Sequence, residues 1–531
     1  MSDIIIKNGY IVDGSGNPWF KKDIGINNRV IEKIGNLNFV KAKTIINAKG
    51  LIVSPGFIDV HSHSDLWLLV KNNLAKSKVM QGATTEIVGN CGYSVAPVEE
   101  ENKDLLKESI APLMGIGDVK INWETLREYL LLLKNQGVGI NVGSLVGQET
   151  IRIAVMGFDN RKPNAKELEK MKMLTAQAMR DGAFGMSTGL IYPPGSYADT
   201  DELIEICRVI SQYGGIYASH IRGEGKTLIK AVKEAIKIGE KANLPVEISH
   251  HKANNKDSWG KVKETLQIID EARKRGIDVT CDQYPYTEGS GLLTQVLPPW
   301  VQEGGIDKLI ARLKDQSIRT KIKKEFKEDI PEWDNYVKVI GWDKIMITSV
   351  ISMKNKHYEG KTVGAIAQQQ KKDPLYFVFD LLIEEKCKVT MINFIMCEED
   401  VRTVMKYPGT MIVTDGLHVQ TGKAHPRLYG TFPRILGKYV REEKVLRLED
   451  AVRKMTSLPA QKFGLNYRGL IKEGMLADIT IFDPDKVIDK ATYTKLQYPE
   501  GIKYVIINGK LVVKDGAHTG VLAGEVLAHN I

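Results

Sequence analysis

The chain is 531 residues long, is 43% hydrophobic and carries a formal net charge of +9. It is long enough to bury a large core, and its lysines are interspersed with Glu and Asp, which argues against a nucleic-acid-binding surface. It has no apolar run of 18 residues and no apolar N-terminal segment, so we expect neither a membrane-spanning helix nor a signal peptide. The five cysteines show no paired spacing, which favours reduced thiols and a cytoplasmic location.

Both ends of the chain consist of short strand-like runs separated by turns. Gly and Asn interrupt the apolar runs of residues 3–55, and similar runs recur at 479–482 and 504–513. Asn8-Gly9 and Asn508-Gly509 each stand between apolar runs, a pattern typical of two-residue hairpin turns. Because neither end is long enough to bury a good core alone, we expect residues 1–55 and 466–531 to form one small β-sandwich domain.

Residues 56–465 have a different rhythm, in which apolar strand-like runs alternate with longer helical stretches. The predicted helices include 166–179, 227–241 and 261–274. This alternation indicates βα units and a parallel sheet, and we predict an α/β fold of the (β/α)8 TIM-like barrel type.

Nine candidate strands compete for the eight places of such a barrel: 57–61, 84–90, 139–146, 183–189, 215–220, 245–250, 277–283, 388–395 and 410–414. The sequence leaves open whether 277–283 or 388–395 is the seventh. Residues 285–385 lack a clean βα rhythm, and we predict that they form a lid-like insertion.

The first candidate strand ends in two histidines, His61 and His63. Because side chains alternate along a strand, both imidazoles face the same way and form half of a potential metal site. The same pattern alone also fits two surface histidines near a turn.

Later strand ends carry side chains of the same chemical kind, namely Cys91, His220, His250 and Asp415. Active sites of (β/α) barrels are built at the C-terminal ends of the strands. Each residue taken alone is more often structural, but their shared position predicts a metal site. His251 should face away from His250, so we assign it to packing or to support of the site.

The pattern Gly-Phe-Ile-Asp-x-His-x-His-x-Asp at 56–65, with the terminal β-domain and Asp415, resembles the amidohydrolase superfamily. Further motifs are similar to those of D-aminoacylases (N-acyl-D-amino-acid deacylases), and the likeness spans nearly the whole chain. These motifs are Gly-Asn-Cys-Gly at 89–92, Gly-Leu-Ile-Tyr-Pro-Pro-Gly at 189–195, Ser-His-Ile-Arg-Gly-Glu at 219–224, Ser-His-His-Lys at 249–252, Asp-Gln-Tyr-Pro-Tyr at 282–286 and His-Pro-Arg-x-Tyr-Gly-Thr-Phe-Pro-Arg at 425–434.

The resemblance implies a tightly held Zn²⁺ on Cys91, His220 and His250. It also implies a second, weaker metal site formed by His61, His63, Asp415 and the shared Cys91. Many superfamily relatives bridge two metals with a carboxylated lysine, but no lysine stands at an equivalent strand end ahead of His220 here. One thiolate and two imidazoles leave zinc one open position, as catalytic zinc sites require.

The implied reaction is hydrolysis of the amide bond of a small-molecule N-acyl-D-amino acid to a carboxylate and a free D-amino acid. Zinc would polarise the amide carbonyl and lower the pKa of its water. Asp415 would accept the water's proton and deliver it to the departing amine. The resemblance also implies that Lys252, Tyr192 and Tyr284 bind the substrate's α-carboxylate, a role that an ammonium and two phenols suit.

The pocket for the substrate's side chain stays open at this point. Arg427 and Arg434 are candidates for a positive group that binds an acidic side chain, or they anchor loops. An apolar group in the insertion either lines an apolar pocket or packs as an amphipathic helix on the barrel: Leu292, Leu293, Val296, Leu297 and Trp300.

Three other functions compete with the deacylase hypothesis. Cyclic-amide opening of the hydantoinase or dihydroorotase kind is disfavoured by the missing lysine bridge and by the motif around Cys91. A catalytically inactive barrel that binds a partner would be expected to have lost Asp415 or the histidine pair. A dipeptidase acting on D-residues would share the same site.

Overall fold

The computed structural model describes residues 2–115, 119–330, 333–419 and 421–529. Residues 2–55 form strands β1 (Ser2–Lys7), β2 (Tyr10–Ile11), β3 (Phe20–Lys21), β4 (Asp23–Asn27), β5 (Val30–Gly35), β6 (Ala42–Asn47) and β7 (Ile52–Pro55). One sheet has the order β5-β4-β1-β6, whereas β2, β3 and β7 belong to another.

The hairpin predicted at Asn8-Gly9 is wrong, because the chain passes there from one sheet to the other. Strand β1 pairs with β4 and β6, while β2 pairs with β3 and β7. A type I′ turn needs positive φ at both central residues, and Asn8 has φ 65° while Gly9 is outside that region. Gly9 is required for close packing instead, since a Cβ there would lie 2.5 Å from the Val53 side chain.

The next part of the chain alternates strands with helices. Its strands are β8 (Phe57–Asp59), β9 (Ser62–His63), β10 (Ala83–Val88), β11 (Asn141–Ser144), β12 (Val146–Gly147), β13 (Gly185–Gly189), β14 (Ile216–His220), β15 (Val246–Ile248) and β16 (Val279–Gln283). Its helices are α1 (Lys76–Val79), α2 (Lys103–Met114), α3 (Leu126–Gln136), α4 (Gln148–Met156), α5 (Ala165–Arg180), α6 (Thr200–Gln212), α7 (Leu228–Ala242) and α8 (Val262–Lys274).

The helices predicted at 166–179, 227–241 and 261–274 are confirmed as α5, α7 and α8. Local signals explain their ends. Helix α5 begins with a capping box, in which Asn164 accepts a hydrogen bond from the backbone of Glu167 and Glu167 accepts one from Asn164. Helix α7 ends at Asn243, which adopts a left-handed conformation with φ 55°.

An insertion follows β16 and has its own sheet and core. Its elements are β17 (Glu288–Leu292), α9 (Ile306–Lys314), α10 (Gln316–Glu325), α11 (Tyr336–Ile340), β18 (Ile345–Ser349), α12 (Val363–Gln369), α13 (Pro374–Glu384) and β19 (Thr390–Phe394). Strands β17, β19 and β18 form an antiparallel sheet, so the insertion extends past residue 385.

The chain then returns to parallel strands and ends in a second set of terminal strands. The elements are α14 (Glu398–Lys406), β20 (Thr410–Ile412), β21 (Gly416–Leu417), α15 (Arg427–Arg434), α16 (Leu448–Met455), α17 (Ser457–Lys462), β22 (Ile479–Phe482), β23 (Ile502–Ile507), β24 (Lys510–Lys514) and β25 (Ala517–His518). Helix α15 continues as a π-helix over Ile435–Glu442.

The central strands pair in parallel and in chain order. Strands β8, β10 and β11 form one sheet, and β12, β13, β14, β15, β16 and β20 form another. Strand β21 pairs in parallel with β9, which joins the last of these segments to the first. The strand beside β20 is therefore 279–283, whereas 388–395 contains β19 of the insertion.

Side chains on the parallel strands enter a shared core at every second position, as strand geometry dictates. This core includes Ile58 and Val60 near β8, Ile216 and Ala218 on β14, and Met411 and Val413 near β20. The mixed α/β arrangement therefore fixes the strand ends, where the predicted ligands lie.

Strands from both ends of the chain share one sheet, of order β25-β24-β23-β22-β7-β2-β3. The hairpin predicted at Asn508-Gly509 is confirmed, with Ile507 paired to Lys510 and positive φ at both turn residues. Val53, Ile481 and Ile506 pack in a common core with isoleucines of the first sheet. None of the helices in the described part of the chain is long and apolar enough to cross a membrane.

Candidate active site

Cys91 lies at the centre of the candidate site, three residues after β10. Its Sγ is 3.3 Å from His61 Nε2, 3.7 Å from His220 Nδ1 and 3.4 Å from His250 Nε2. His61 precedes β9, His220 ends β14 and His250 follows β15. Four separate strand ends therefore deliver one thiol and three imidazoles to one point.

Asp415 lies beside the same cluster, between β20 and β21. Its Oδ1 is 3.2 Å from His63 Nε2 and 3.6 Å from His61 Nε2. The structure thus brings together every predicted metal ligand, and none of these side chains is more than 9% exposed. Three sets of donor atoms each lie within 4.8 Å of one another: Cys91, His220 and His250; His61, His63 and Cys91; and His61, His250 and Asp415.

The backbone is unusual at three of these positions. Cys91, His250 and Asp415 have φ values of 52°, 36° and 46°, a region that costs free energy for residues other than glycine. Local hydrogen bonds support two of them, because the Asp415 amide donates to His61 O and the His250 amide donates to Asp282 Oδ1. Such strain is concentrated at functional sites when the surroundings enforce it.

Two carboxylates that the sequence did not single out orient the imidazoles. Asp282 Oδ2 is 3.2 Å from His61 Nδ1, and Glu224 Oε1 is 3.1 Å from His250 Nδ1. At His61, the carboxylate places the proton on Nδ1 and leaves Nε2 free to bind a metal. At His250, Lys252 Nζ also lies 2.6 Å from Nδ1, so Glu224 and Lys252 together orient this ring. Both residues lie within the motifs quoted above, and their position just after or within a strand was the available signal.

The charges within the cluster favour an ionised thiol. Burial acts to raise the pKa of Cys91, but His61, His250 and a hydrogen bond with His220 together lower it well below its usual value. Thiolate is the form of cysteine that binds metal.

Asp415 is likewise held as a carboxylate. Burial opposes its ionisation, but the Arg427 guanidinium, His61 and His63 lower its pKa well below its usual value. Arg427 Nη1 is 2.8 Å from Asp415 Oδ2. Arg434 instead anchors a loop, since it donates to Pro285 O and its Nη1 is 3.1 Å from Asp489 Oδ2.

The three predicted carboxylate-binding residues line one cleft with these groups. The walls of this cleft include Lys252, Tyr192 and Tyr284. Lys252 Nζ donates to Glu224 Oε1 at 2.5 Å, and the Tyr192 hydroxyl is 3.2 Å from His220 Nδ1. The charge of Lys252 is therefore already paired, a feature that the sequence did not predict.

His251 points away from the cleft, as predicted from its place beside His250. Its Nε2 lies 2.7 Å from the Thr265 hydroxyl on α8. Burial lowers the pKa of His251 to about 4. It supports the packing of β15 against its following helix.

The apolar residues of the insertion divide between the two predicted roles. Leu292 and Leu297 line a larger cavity beside the cleft. Leu293 and Val296 are buried in the insertion's own core, and the Trp300 indole donates to Glu325. The predicted amphipathic helix is wrong, because residues 293–296 and 299–302 form two short 3-10 turns interrupted by Pro298.

The chain belongs to the amidohydrolase family, whose sequence profile matches residues 44–513. It is 36% identical to a D-aminoacylase of Alcaligenes xylosoxydans xylosoxydans, over 99% of this chain and 97% of that protein. It is also 36% identical to an N-acyl-D-glutamate deacylase of the same organism, over 96% of this chain and 93% of that protein. The resemblance seen in the motifs is thus confirmed over nearly the full length.

A solved structure has the same fold. The crystal structure of an N-acyl-D-glutamate deacylase from Bordetella bronchiseptica, complexed with zinc and a phosphonate inhibitor, superposes with a TM-score of 0.83 at 33% identity. The match covers 99% of both chains. A D-hydantoinase structure matches with a TM-score of 0.52 at 16% identity, a likeness of fold alone.

Proposed function

We infer that the chain is a hydrolase of linear amides that converts N-acyl-D-amino acids into a carboxylate and a free D-amino acid. The family and the names of its full-length relatives support this activity. The observation that carries the proposal is the meeting of Cys91 Sγ with three imidazole nitrogens at 3.3–3.7 Å, with Asp415 beside them.

We propose that the ion is Zn²⁺. Tetrahedral zinc with Zn–S of ~2.3 Å and Zn–N of ~2.0 Å separates sulfur and nitrogen ligands by roughly 3.5 Å, which fits the spacing around Cys91. Cys91, His220 and His250 would hold the tighter ion, and His61, His63, Asp415 and the shared Cys91 a weaker second one. A bound zinc would supply Lewis-acid activation of the amide carbonyl and of water.

In this proposal Asp415 acts first as the general base and then as the general acid. The water oxygen forms a bond to the carbonyl carbon while Asp415 takes the water's proton, and the same carboxyl then protonates the nitrogen as the C–N bond breaks. Arg427 keeps Asp415 ionised before the reaction. His63, within 3.2 Å of Asp415, orients the carboxylate.

We propose that Lys252, Tyr284 and Tyr192 bind the substrate's α-carboxylate. Lys252 would share its three donors between Glu224 and the substrate. With the carboxylate and the scissile carbonyl both fixed, only one enantiomer can direct its side chain into open space, and the L-enantiomer would meet the wall.

The fold proposal follows from the strand pairing. We propose that the parallel strands from β8 to β21 close into a (β/α)8 barrel of residues 56–465, with the insertion as its lid. Residues 1–55 and 466–531 would form a small β-sandwich domain. All five cysteines are free thiols, which favours the reducing cytoplasm as location.

The full-length relatives favour neither of the two competing activities, a cyclic amidohydrolase and a D-residue dipeptidase that would use the same cleft. Cys91 at the centre of the donors, in place of a bridging lysine, disfavours the cyclic-amide chemistry. A hydantoin and a D-containing dipeptide assayed beside an N-acetyl-D-amino acid distinguish these activities.

The proposed function is tested with paired N-acetyl-D- and N-acetyl-L-amino acids, with zinc content measured in parallel. We expect turnover of the D-series and bound zinc. Asp415→Asn should lower kcat at least ~100-fold while the tighter zinc is retained. Asp489→Asn is the matched control. Like Asp415, Asp489 pairs with an arginine of α15, but its partner is Arg434 and the pair lies outside the cleft. Preference for the L-series, or full activity of Asp415→Asn, would refute the proposal.

A further inference from the structure

A second, larger cavity lies beside the cleft. The two spaces share walls, including Tyr93, Tyr192, Glu224 and Asn254. Much of the remaining lining is apolar: Phe158, Ile191, Leu292, Leu297, Ile306 and Leu309. The two spaces are therefore immediate neighbours, and a group bound in the cleft lies close to this cavity.

The position of the proposed carboxylate-binding residues indicates which group extends there. Among the described residues, Lys252 and Tyr284 line the cleft alone, whereas Glu224 and Asn254 line both spaces. Glu224 contacts Lys252 and accepts a hydrogen bond from Asn254 Nδ2 at 2.9 Å. A substrate's side chain and carboxylate share one carbon atom, so a carboxylate bound at Lys252 keeps the side chain close to Glu224 and Asn254, in the wall shared with the larger cavity.

The charged side chains lining this cavity are mainly acidic. Glu108 lies on α2, and Asp334 is fixed by hydrogen bonds from the Gly225 amide and the Thr227 hydroxyl at 2.9 and 3.0 Å. Glu224 is paired with Lys252. The one arginine of the described lining, Arg222, is 2.9 Å from Glu234 Oε2 and also donates to the carbonyls of Ser196 and Ala198.

The side-chain oxygen of Asn254, in the wall shared by the two spaces, adds to the negative electrostatic potential of the larger cavity. Asn254 Oδ1 is buried without a hydrogen-bond partner, and its amide nitrogen is already used by Glu224. It offers an acceptor to a ligand, and an acceptor binds a neutral N–H or O–H group but repels a carboxylate.

We propose that the larger cavity receives an uncharged, largely apolar D-amino-acid side chain and rejects a side chain that ends in a carboxylate. The inference rests on the proposed deacylase function and specifies its substrate class. Overall identity does not decide the matter, because the D-aminoacylase and the N-acyl-D-glutamate deacylase are equally similar to this chain. Like charges placed together are an established means of excluding a competing ligand.

The test uses zinc-loaded enzyme and substrates that differ in charge but hardly in size. N-acetyl-D-glutamine and N-acetyl-D-glutamate form that pair, and N-acetyl-D-methionine supplies an apolar side chain of similar length. We expect kcat/KM for the glutamate substrate to be at least ~10-fold below that for glutamine, and methionine to be accepted. Equal or better use of glutamate would overturn the inference while leaving the deacylase function intact. Failure to hydrolyse any N-acyl-D-amino acid would overturn both.

The variant Glu108→Gln tests whether the acidic lining causes the proposed preference for glutamine over glutamate side chains. Glu108→Gln should narrow the difference in kcat/KM between the glutamine and glutamate substrates, since it removes one of the lining carboxylates. Asp104→Asn is the matched control, because Asp104 lies one turn earlier on the same exposed helix face and does not line the cavity. A glutamine-to-glutamate ratio unchanged by Glu108→Gln, or changed equally by both variants, would contradict this assignment.

Discussion

Single side chains of the candidate site are positioned by neighbours that would not themselves bind the metal. Glu224 contacts Lys252 and His250, and Asp282 contacts His61. Glu224 thus connects a proposed metal ligand to the proposed substrate-binding lysine, whereas Asp282 holds His61 in place. The most informative substitutions are therefore at Glu224 and Asp282 rather than at the ligands.

Glu224→Gln should weaken zinc binding by about 10–100-fold, the usual effect of losing the carboxylate behind a ligating histidine. It also removes the charge that Lys252 now pairs with, so KM should change as well as metal affinity. Zinc affinity is measured by competition with a chelator in the absence of substrate. Glu234→Gln, at the partly buried Arg222 pair, is the control, and equal zinc affinity in both variants would contradict the role of Glu224.

The sequence was sufficient to predict which residues meet at the candidate site, but not which residues support them. A common placement is visible without a structure, because these residues all lie at the C-terminal end of a strand or within three residues of it: His61, Cys91, His220, His250 and Asp415. Glu224 lies four residues beyond its strand end, in a segment whose path cannot be deduced from periodicity. Its contact with Lys252 depends on how two separate loops fold over the strand ends.

At the level of elements, the loop after β10 illustrates how closely the backbone is packed around the site. Gly92 follows Cys91 with φ 79°, and a Cβ at this position would lie 1.2 Å from Glu149 Oε2. Glu149 Oε1 accepts a hydrogen bond from the Gly189 amide, so the carboxyl group cannot move freely aside. The loops bearing Cys91 and Tyr192 are therefore packed against a common residue.

Gly92→Ala should displace Cys91 and abolish tight zinc binding, because both the clash and the left-handed backbone disfavour a side chain there. Zinc content after gel filtration is the measurement. Gly474→Ala is the matched control, since Gly474 also has a positive φ but nothing lies within 4 Å of its Cβ position. A Gly92→Ala protein that retains stoichiometric zinc would show that this packing is not required.

The contact between β15 and α8 predicts how stability depends on pH. The pKa of His251 is lowered to about 4 by burial, so between pH 6.5 and 4 the unfolded chain binds a proton there and the folded chain does not. Folding stability should therefore fall as the pH is lowered through this range, by about 3 kcal/mol from this residue. Above pH 6.5 His251 is neutral in both the folded and the unfolded chain, so it does not change the stability there.

His251→Gln should flatten that part of the pH dependence. The free energy of unfolding is measured by denaturant titration between pH 4 and 7, and the variant is compared with the parent at each pH. His357→Gln, at an exposed histidine of the insertion, should leave the slope unchanged. An identical slope in the parent and His251→Gln would refute the assignment.

The whole molecule combines a regular scaffold with an irregular insertion, and the two differ in how far the sequence predicts them. The order of parallel strands follows from βα alternation, and the joining of both ends follows from their short strands. The insertion could not be predicted in detail, because β17, β18 and β19 pair antiparallel across long separations. Because antiparallel pairing over long separations is not visible in the sequence, residues 388–395 were a candidate strand of the parallel sheet although they contain β19 of the insertion.

The hairpin at Asn8-Gly9 shows the limit of a local signal within the assembled molecule. An Asn-Gly dipeptide permits a tight turn at either end of the chain. Whether the two flanking strands pair with each other depends on which neighbouring strands each of them can pair with. Strand β2 pairs with β7 and β3, whereas β1 pairs with β4 and β6. Two sheets that share a core therefore override the preference of two residues.

The central claim is that one thiolate and two or more imidazoles from distant parts of the chain bind a single zinc. X-ray absorption spectroscopy at the zinc edge of the purified protein tests it directly. We predict one sulfur neighbour at ~2.3 Å, nitrogen neighbours at ~2.0–2.1 Å, and loss of the sulfur signal in Cys91→Ala. A zinc spectrum with nitrogen and oxygen neighbours alone in the parent protein would contradict the account.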